Sequence, residues 1–235
     1  MTETAKVPQK PHQTGFFGNL VFNIIIPVLV MSYLSSDEYL GPMYSVVVAL
    51  AFPFCFGLYD LKKTKKVNGF SILGIISVLL TGGISLMKLP AEYMAIKEAT
   101  IPGVIGLAVL VTQFTKKPLV KMLILNDQII NWDKLNASLD EKSANLTFNK
   151  KVAVSSYIVA SSFFLSASLN YMLAKWILVS EPGTTAYTEE LGRMTALSYP
   201  IIVIPSMILL ITALIYLFKQ ISNCTGEPIE SFLNQ

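Results

Sequence analysis

The sequence predicts an all-α integral membrane protein, a bundle of about six transmembrane helices with one amphipathic helix on the cytoplasmic surface. Three observations carry that reading. Of the 235 residues, 53% are hydrophobic and 14% are charged, with a mean hydropathy of +0.56, whereas a soluble domain carries about 25% charged residues. Six apolar runs approach the roughly 20 residues that a helix needs to cross a ~30 Å hydrocarbon layer. Fourteen of the eighteen basic residues fall on one side of those runs.

The elements follow in order. Residues 1–15, "MTETAKVPQKPHQTG", are polar and lack leucine. They read as a flexible tail and not as a signal peptide, because no small-residue cleavage site follows the first apolar run. The membrane domain is expected over 16–219, with spans at 16–34, 40–59, 70–87, 99–115, 152–179 and 199–218, and a C-tail over 220–235. Lysine placement orients the spans. Lys6, Lys10, Lys62, Lys63, Lys65, Lys66, Lys116, Lys117, Lys121, Lys134, Lys142, Lys150, Lys151 and Lys219 share one side, and Lys88, Lys97, Lys175 and Arg193 the other. Both termini are therefore expected in the cytoplasm. Lys116, Lys117 and Pro118 form a basic cytoplasmic exit from the fourth span, where a proline suits the first turn of a following helix. The external connections are acidic, with Asp37 and Glu38 in one and Glu181, Glu189 and Glu190 in the other.

The cytoplasmic segment 118–150 carries the remaining element. Leu125, Ile129, Trp132, Leu135 and Leu139 recur at helical spacing, with Asn126, Asp127, Asp133 and Asp140 off that stripe. This predicts an amphipathic helix. It either lies on the bilayer with Trp132 as interfacial anchor or packs on the protein's own cytoplasmic ends. Its acidic balance argues against a sensor of anionic lipid, which wants a basic face.

"IKEATIPGVIGLAVLVTQFTKKPLVKML" resembles the signature region of the intracellular septation protein A family, through Lys97, Gly103, Gly106, Gln113, Phe114, Lys116, Lys117, Pro118 and Leu119. Further likeness lies in "GLYDLKKTKKVNGFSIL" (Tyr59, Asp60, Lys62, Lys63), "NWDKLN" (Trp132, Leu135, Asn136) and "FFLSASLNYMLAKW" (Asn170, Tyr171). The resemblance covers roughly residues 50–179. The chain departs from the pattern after Asn136, where "ASLDEKSANLTFNKK" precedes the next span. The resemblance implies a small multi-pass protein of the bacterial inner membrane, acting in envelope integrity or division through membrane partners. It implies no catalytic residues.

The chemistry of the residues agrees with a non-enzymatic role. The one histidine, His12, lies in the N-tail. There is no HExxH, no phosphate loop and no serine elbow. Cys55 and Cys224 make neither a disulfide framework nor a metal-ligand spacing. No cofactor, metal or nucleic acid is expected. Partners are the bilayer, envelope or division proteins, and a second copy.

Polar residues within spans are the candidate functional groups, because each costs free energy in hydrocarbon. They are Lys97, Glu98, Gln113, Asn170 and Tyr171, with Asn19 and Asn23 as packing groups. Lys97 and Glu98 are neighbours in sequence and point about 100° apart on a helix, so each needs its own partner. One reading makes them a polar junction at the outer mouth, with Lys88 and Glu92 or an acid of the last external loop as partners. The other leaves them as interfacial anchors with their heads in water. Glycines in "TGGISL" and "GVIG" offer small faces for helix contact. Pro27, Pro53, Pro102 and Pro205 interrupt spans, and "NIIIPVLV" resembles "IIVIPSMILL". Broken helices at matching positions mark transport sites in some proteins, so the alternative function is a small secondary transporter of a solute or lipid.

The lysine asymmetry yields a topology test. With Cys55 and Cys224 changed to serine, cysteines placed at Thr64 and Asn145 should resist a membrane-impermeant thiol reagent in intact cells, and one at Thr185 should react. Strong labelling at Thr64 would reverse the orientation.

Overall fold

A computed structural model describes residues 18, 20–64, 69–115, 118–125 and 130–234. Among them the secondary structure is helical, apart from an isolated antiparallel bridge between Ile130 and Leu233. Helix α1 covers Val21–Tyr33 and opens on a π-helical turn, Val21–Ile25. Then come α2 (Gly41–Thr64), α3 (Gly69–Leu86), α4 (Ala91–Thr112), α5 (Leu119–Ile124), α6 (Trp132–Glu141) and α7 (Asn145–Ile177). Helix α8 (Thr185–Ser198) runs through a second π turn (Tyr199–Val203) into α9 (Ile204–Thr225), and a 3-10 turn, Ile229–Phe232, follows.

Four helical runs have the length and composition to cross a membrane: Gly41–Tyr59, Ala91–Thr112, Asn145–Ile177 and Thr185–Thr225. Val21–Tyr33 and Ile72–Leu86 are apolar but shorter. Among the described residues the protein is thus all-helical, with four helices that could span a membrane. The N-tail, Asn19 and the basic exit residues Lys116 and Lys117 lie outside the described residues.

The chain gathers into two compact units. The first holds the described residues up to Lys97 together with Lys175–Ala196. In it, α8 replaces the expected external loop. Gly183 takes φ +85° after Pro182, a left-handed conformation that suits glycine. Thr184 Oγ1 then accepts the Tyr187 N–H at 3.2 Å and starts the helix. Tyr187, Leu191 and Met194 follow at helical spacing, and all three are buried. Thr185 Oγ1 donates to Ser35 O at 3.2 Å. A Cβ on Gly192 would stand 3.1 Å from Met31 Cβ, so only glycine lets α8 lie this close to α1. Glu190 accepts from the N–H groups of Val179 and Ser180 and from Ser180 Oγ, at 3.0, 3.0 and 2.7 Å.

The second unit holds Glu98–Ala174 and the described residues from Leu197 onward. Leu135 and Leu139 of α6 meet Phe148 and Val152 of α7, Leu217 and Ile221 of α9, and Phe232, all at most 2% exposed. The expected single helix through Leu125 and Leu139 is broken. Leu125 closes α5, Ile130 bridges to Leu233, and Asn131 caps α6 by accepting from Lys134 N at 3.0 Å. Ile129 lies outside the described residues. Leu125, Leu135 and Leu139 are buried and Trp132 is half-buried, so α6 packs on the chain itself. The described residues 220–234, expected as a tail, are folded. Helix α9 runs to Thr225, Gly226 caps it at φ +73°, and Asn131 N donates to Phe232 O at 2.8 Å. Helix α7 has 33 residues, about 50 Å at 1.5 Å per residue. That exceeds a ~30 Å layer, so part of it stands clear of hydrocarbon and supplies Phe148 and Val152 to this core.

Phe232→Ala should therefore lower the unfolding free energy by about 3 kcal/mol and open residues 226–234 to protease. Leu233→Ala, at a side chain 40% exposed, should change neither.

Candidate functional site

The most polar cavity described lies in the second unit, where α4 gives way to α5. Thr112 ends α4. Its Oγ1 donates to Ala108 O at 2.7 Å and accepts the Leu119 N–H at 3.2 Å, so one hydroxyl ties the two helices. Thr115 Oγ1 donates to Thr112 O at 2.6 Å. Pro118, extended at φ −58° and ψ 134°, precedes the first turn of α5, where its missing N–H costs nothing. This turn carries Lys121 over α7. The cavity of about 180 Å³ is lined by Gln113, Thr115, Pro118, Lys121, Asn149, Val152 and Ala153.

Lys121 organises it. Its Nζ donates to Asn149 Oδ1 at 2.8 Å and stands 5.2 Å from the Phe148 ring centre and 5.9 Å from that of Trp132, within cation–π range. Burial lowers the Lys121 pKa from its ordinary value, because desolvation disfavours the charged form. Trp132 is held as a wall by its Nε1–H, which donates to Leu125 O at 2.8 Å. Half-buried, it packs beside the lysine. Gln113 Oε1 is buried without a hydrogen-bond partner among the described residues.

The remaining expected residues fall elsewhere. Lys97 is 8% exposed, in the second turn of α4, because that helix begins at Ala91 and not at 99. Its Nζ donates to Thr81 Oγ1 on α3 at 2.7 Å, and that hydroxyl donates to Ser77 O at 3.0 Å. Burial on this scale overturns the reading of Lys97 as an anchor with its head in water. Glu92, expected as a partner of Lys97, instead pairs with Lys175 at 3.1 Å, with side chains 70% and 42% exposed. Glu98 is half-buried. Asn170 Nδ2 donates to Ser166 O at 2.8 Å on its own helix, so it is not a cross-helix bond. Tyr171 is exposed.

Of the expected residues, the structure brings Gln113, Pro118 and Trp132 to one place. It adds Lys121 and Asn149, which the sequence reading missed. Lys121 had been counted only as a topological charge. The signal was its setting, "LVKMLI", a lysine inside an apolar hexapeptide. In the first unit, Tyr187 and Ser85 also line a tight cavity of about 10 Å³, and neither hydroxyl has a partner among the described residues.

Compared with protein-family models, curated proteins and solved structures, the chain matches none.

The Lys97–Thr81 bond predicts a thermodynamic coupling. Thr81→Val should cost about 2 kcal/mol in the wild-type background, since a buried ammonium loses an acceptor, and much less beside Lys97→Met. Additive effects in thermal unfolding would show that the bond contributes nothing. Glu92→Gln should cost under about 1 kcal/mol, as exposed ion pairs do.

Proposed function

We propose that the chain is a polytopic protein of the bacterial inner membrane, with six spans and both termini cytoplasmic. In this reading it is non-enzymatic and related to septation protein A, and it serves envelope maintenance or division through membrane partners. One observation carries the reading. Polar side chains of the spans are engaged inside each unit: Lys97 with Thr81, Ser155 with Ala213 O at 3.3 Å, Ser162 with Ser206 O at 2.7 Å and Asn170 with Ser166. The faces turned outward are apolar and aromatic, with Tyr33, Tyr44, Trp176 and Val179 more than 70% exposed. Aromatic side chains of this kind suit bilayer interfaces and protein contacts. Polar groups thus hold the helices together, and outward surface is left for lipid, a partner or a second copy. The motif order that resembles septation protein A relatives names the process.

A second reading, a small secondary transporter, is favoured by the paired π turns. Val21–Ile25 and Tyr199–Val203 each end two residues before a proline, Pro27 and Pro205. Each is closed by an i→i−5 bond, Ile26 N–H to Val21 O and Ile204 N–H to Tyr199 O. Such turns often lie at functional sites.

In a strain lacking the protein, an envelope or septum defect should appear and be restored by the wild-type chain, while purified protein in proteoliposomes shows no solute or lipid flux. A flux abolished by Pro27→Ala with Pro205→Ala would replace the scaffold reading with transport.

A further inference from the structure

The Lys121 cavity is assigned no ligand by the envelope role proposed above, and its chemistry is unusual for a packing defect. It brings together one ammonium, two side-chain amides and a threonine hydroxyl, and among the described residues no carboxylate lines it. The Lys121 ammonium has a neutral acceptor, Asn149 Oδ1, and two aromatic faces. No carboxylate pairs with it among the described residues. A half-buried cation so placed favours an anion, because charge–charge attraction there is less screened than in bulk water. Gln113 Oε1 makes the complementary demand: a buried acceptor without a partner calls for a donor. A ligand that satisfies both carries an anionic oxygen and a hydroxyl. The size agrees. At about 180 Å³, the cavity is below the roughly 300–1,000 Å³ of sites for drug-sized molecules, and it suits a small head group. Its Val152 and Ala153 wall continues into the apolar α7.

We propose that this cavity binds a glycerophosphate group, with the phosphate on Lys121 and the Asn149 amide and a glycerol hydroxyl donating to Gln113 Oε1. Two sources present that chemistry, the head group of phosphatidylglycerol and soluble glycerol phosphate. The proposal is independent of the scaffold or transport reading, since neither requires it.

The test uses the full-length protein in neutral detergent, with native mass spectrometry and thermal unfolding after addition of phosphatidylglycerol, phosphatidylcholine or glycerol 3-phosphate. One of the glycerophosphate ligands should be retained and raise the melting temperature, and phosphatidylcholine should do neither. Lys121→Gln and Gln113→Leu should each weaken retention about tenfold, the loss expected from one hydrogen bond of about 1.4 kcal/mol. Asn149→Asp guards against misfolding. It gives Lys121 an internal carboxylate, so it should keep or raise the melting temperature without ligand and still lose retention. Lys142→Gln, at an exposed lysine, should retain ligand like the wild type. Retention of phosphatidylglycerol alone assigns the site to lipid, and stabilisation by glycerol 3-phosphate that displaces the lipid assigns it to the soluble group. Equal retention of phosphatidylcholine, binding unchanged in Asn149→Asp and Lys121→Gln, or no binding of any of the three would overturn the proposal.

Discussion

Hydrocarbon offers no hydrogen-bond partner, so every polar group of a membrane span must be satisfied by the chain itself. Most of this structure follows from that constraint. Hydroxyls in the apolar helices bond back to carbonyls one turn earlier: Ser156 to Val152 O, Ser161 to Tyr157 O, Ser168 to Phe164 O and Thr212 to Ile208 O, at 2.7–3.0 Å. Two serines of α7 reach across instead. Ser155 and Ser162 are seven residues apart, hence on one face, and both donate to carbonyls in the last helical run. Another face of α7 meets Gly106, where an added Cβ would stand 3.1 Å from Phe163 Cβ, so α4 meets α7 closely. Glycine here serves packing within the chain. The prolines obey the rule as well. Where Pro27 and Pro205 remove an N–H, the preceding turn widens to the i→i−5 pattern, and the backbone stays paired up to the proline.

Beyond the hydrocarbon the second unit obeys different physics. Its core of Leu135, Leu139, Phe148, Leu217, Ile221 and Phe232 is held by burial from water, as in a soluble domain. Most of the fully buried large side chains lie in this cluster, while the apolar surface of the spans stays outward. That contrast is expected, since lipid tails are as apolar as leucine and give helices no hydrophobic reason to associate. Lys121 stands where the two regimes meet. Its ammonium stands over two aromatic rings and beside the side-chain amides of the cavity.

Composition made the membrane class legible, and the apolar runs placed most helices. The expected 70–87 became Gly69–Leu86, and 40–59 became the first part of Gly41–Thr64. Charges hid the rest. Glu92 and Lys97 pushed the expected start of the fourth span to 99, although α4 begins directly after Pro90. An acid in a helix's first turn is favourable there, so Glu92 belongs where a hydropathy reading excludes it. The segment 185–198 is only half apolar and was invisible to hydropathy, yet Tyr187, Leu191 and Met194 already had helical period. The break at Ile130 had no local signal, because its partner Leu233 is about a hundred residues away.

The three lysines Lys97, Lys121 and Lys175 show why the candidate site was the least legible part. A positive charge outside a span looks the same to a topology rule whether its head is wet or buried. Lys175, 42% exposed, pairs with a carboxylate in a contact of little energetic weight. Lys97 donates a hydrogen bond to a threonine hydroxyl beneath the surface, and Lys121 donates one to an asparagine beside two rings. Removing charge from water is expensive, and neutral partners repay less of that cost than a carboxylate does. Lys121, whose hydrogen-bond acceptor is the neutral Asn149, therefore has electrostatic capacity left for another group. Flanking residues, more than charge counts, separate the classes. Lys121 sits inside "LVKMLI", where a soluble exit loop would have placed polar neighbours.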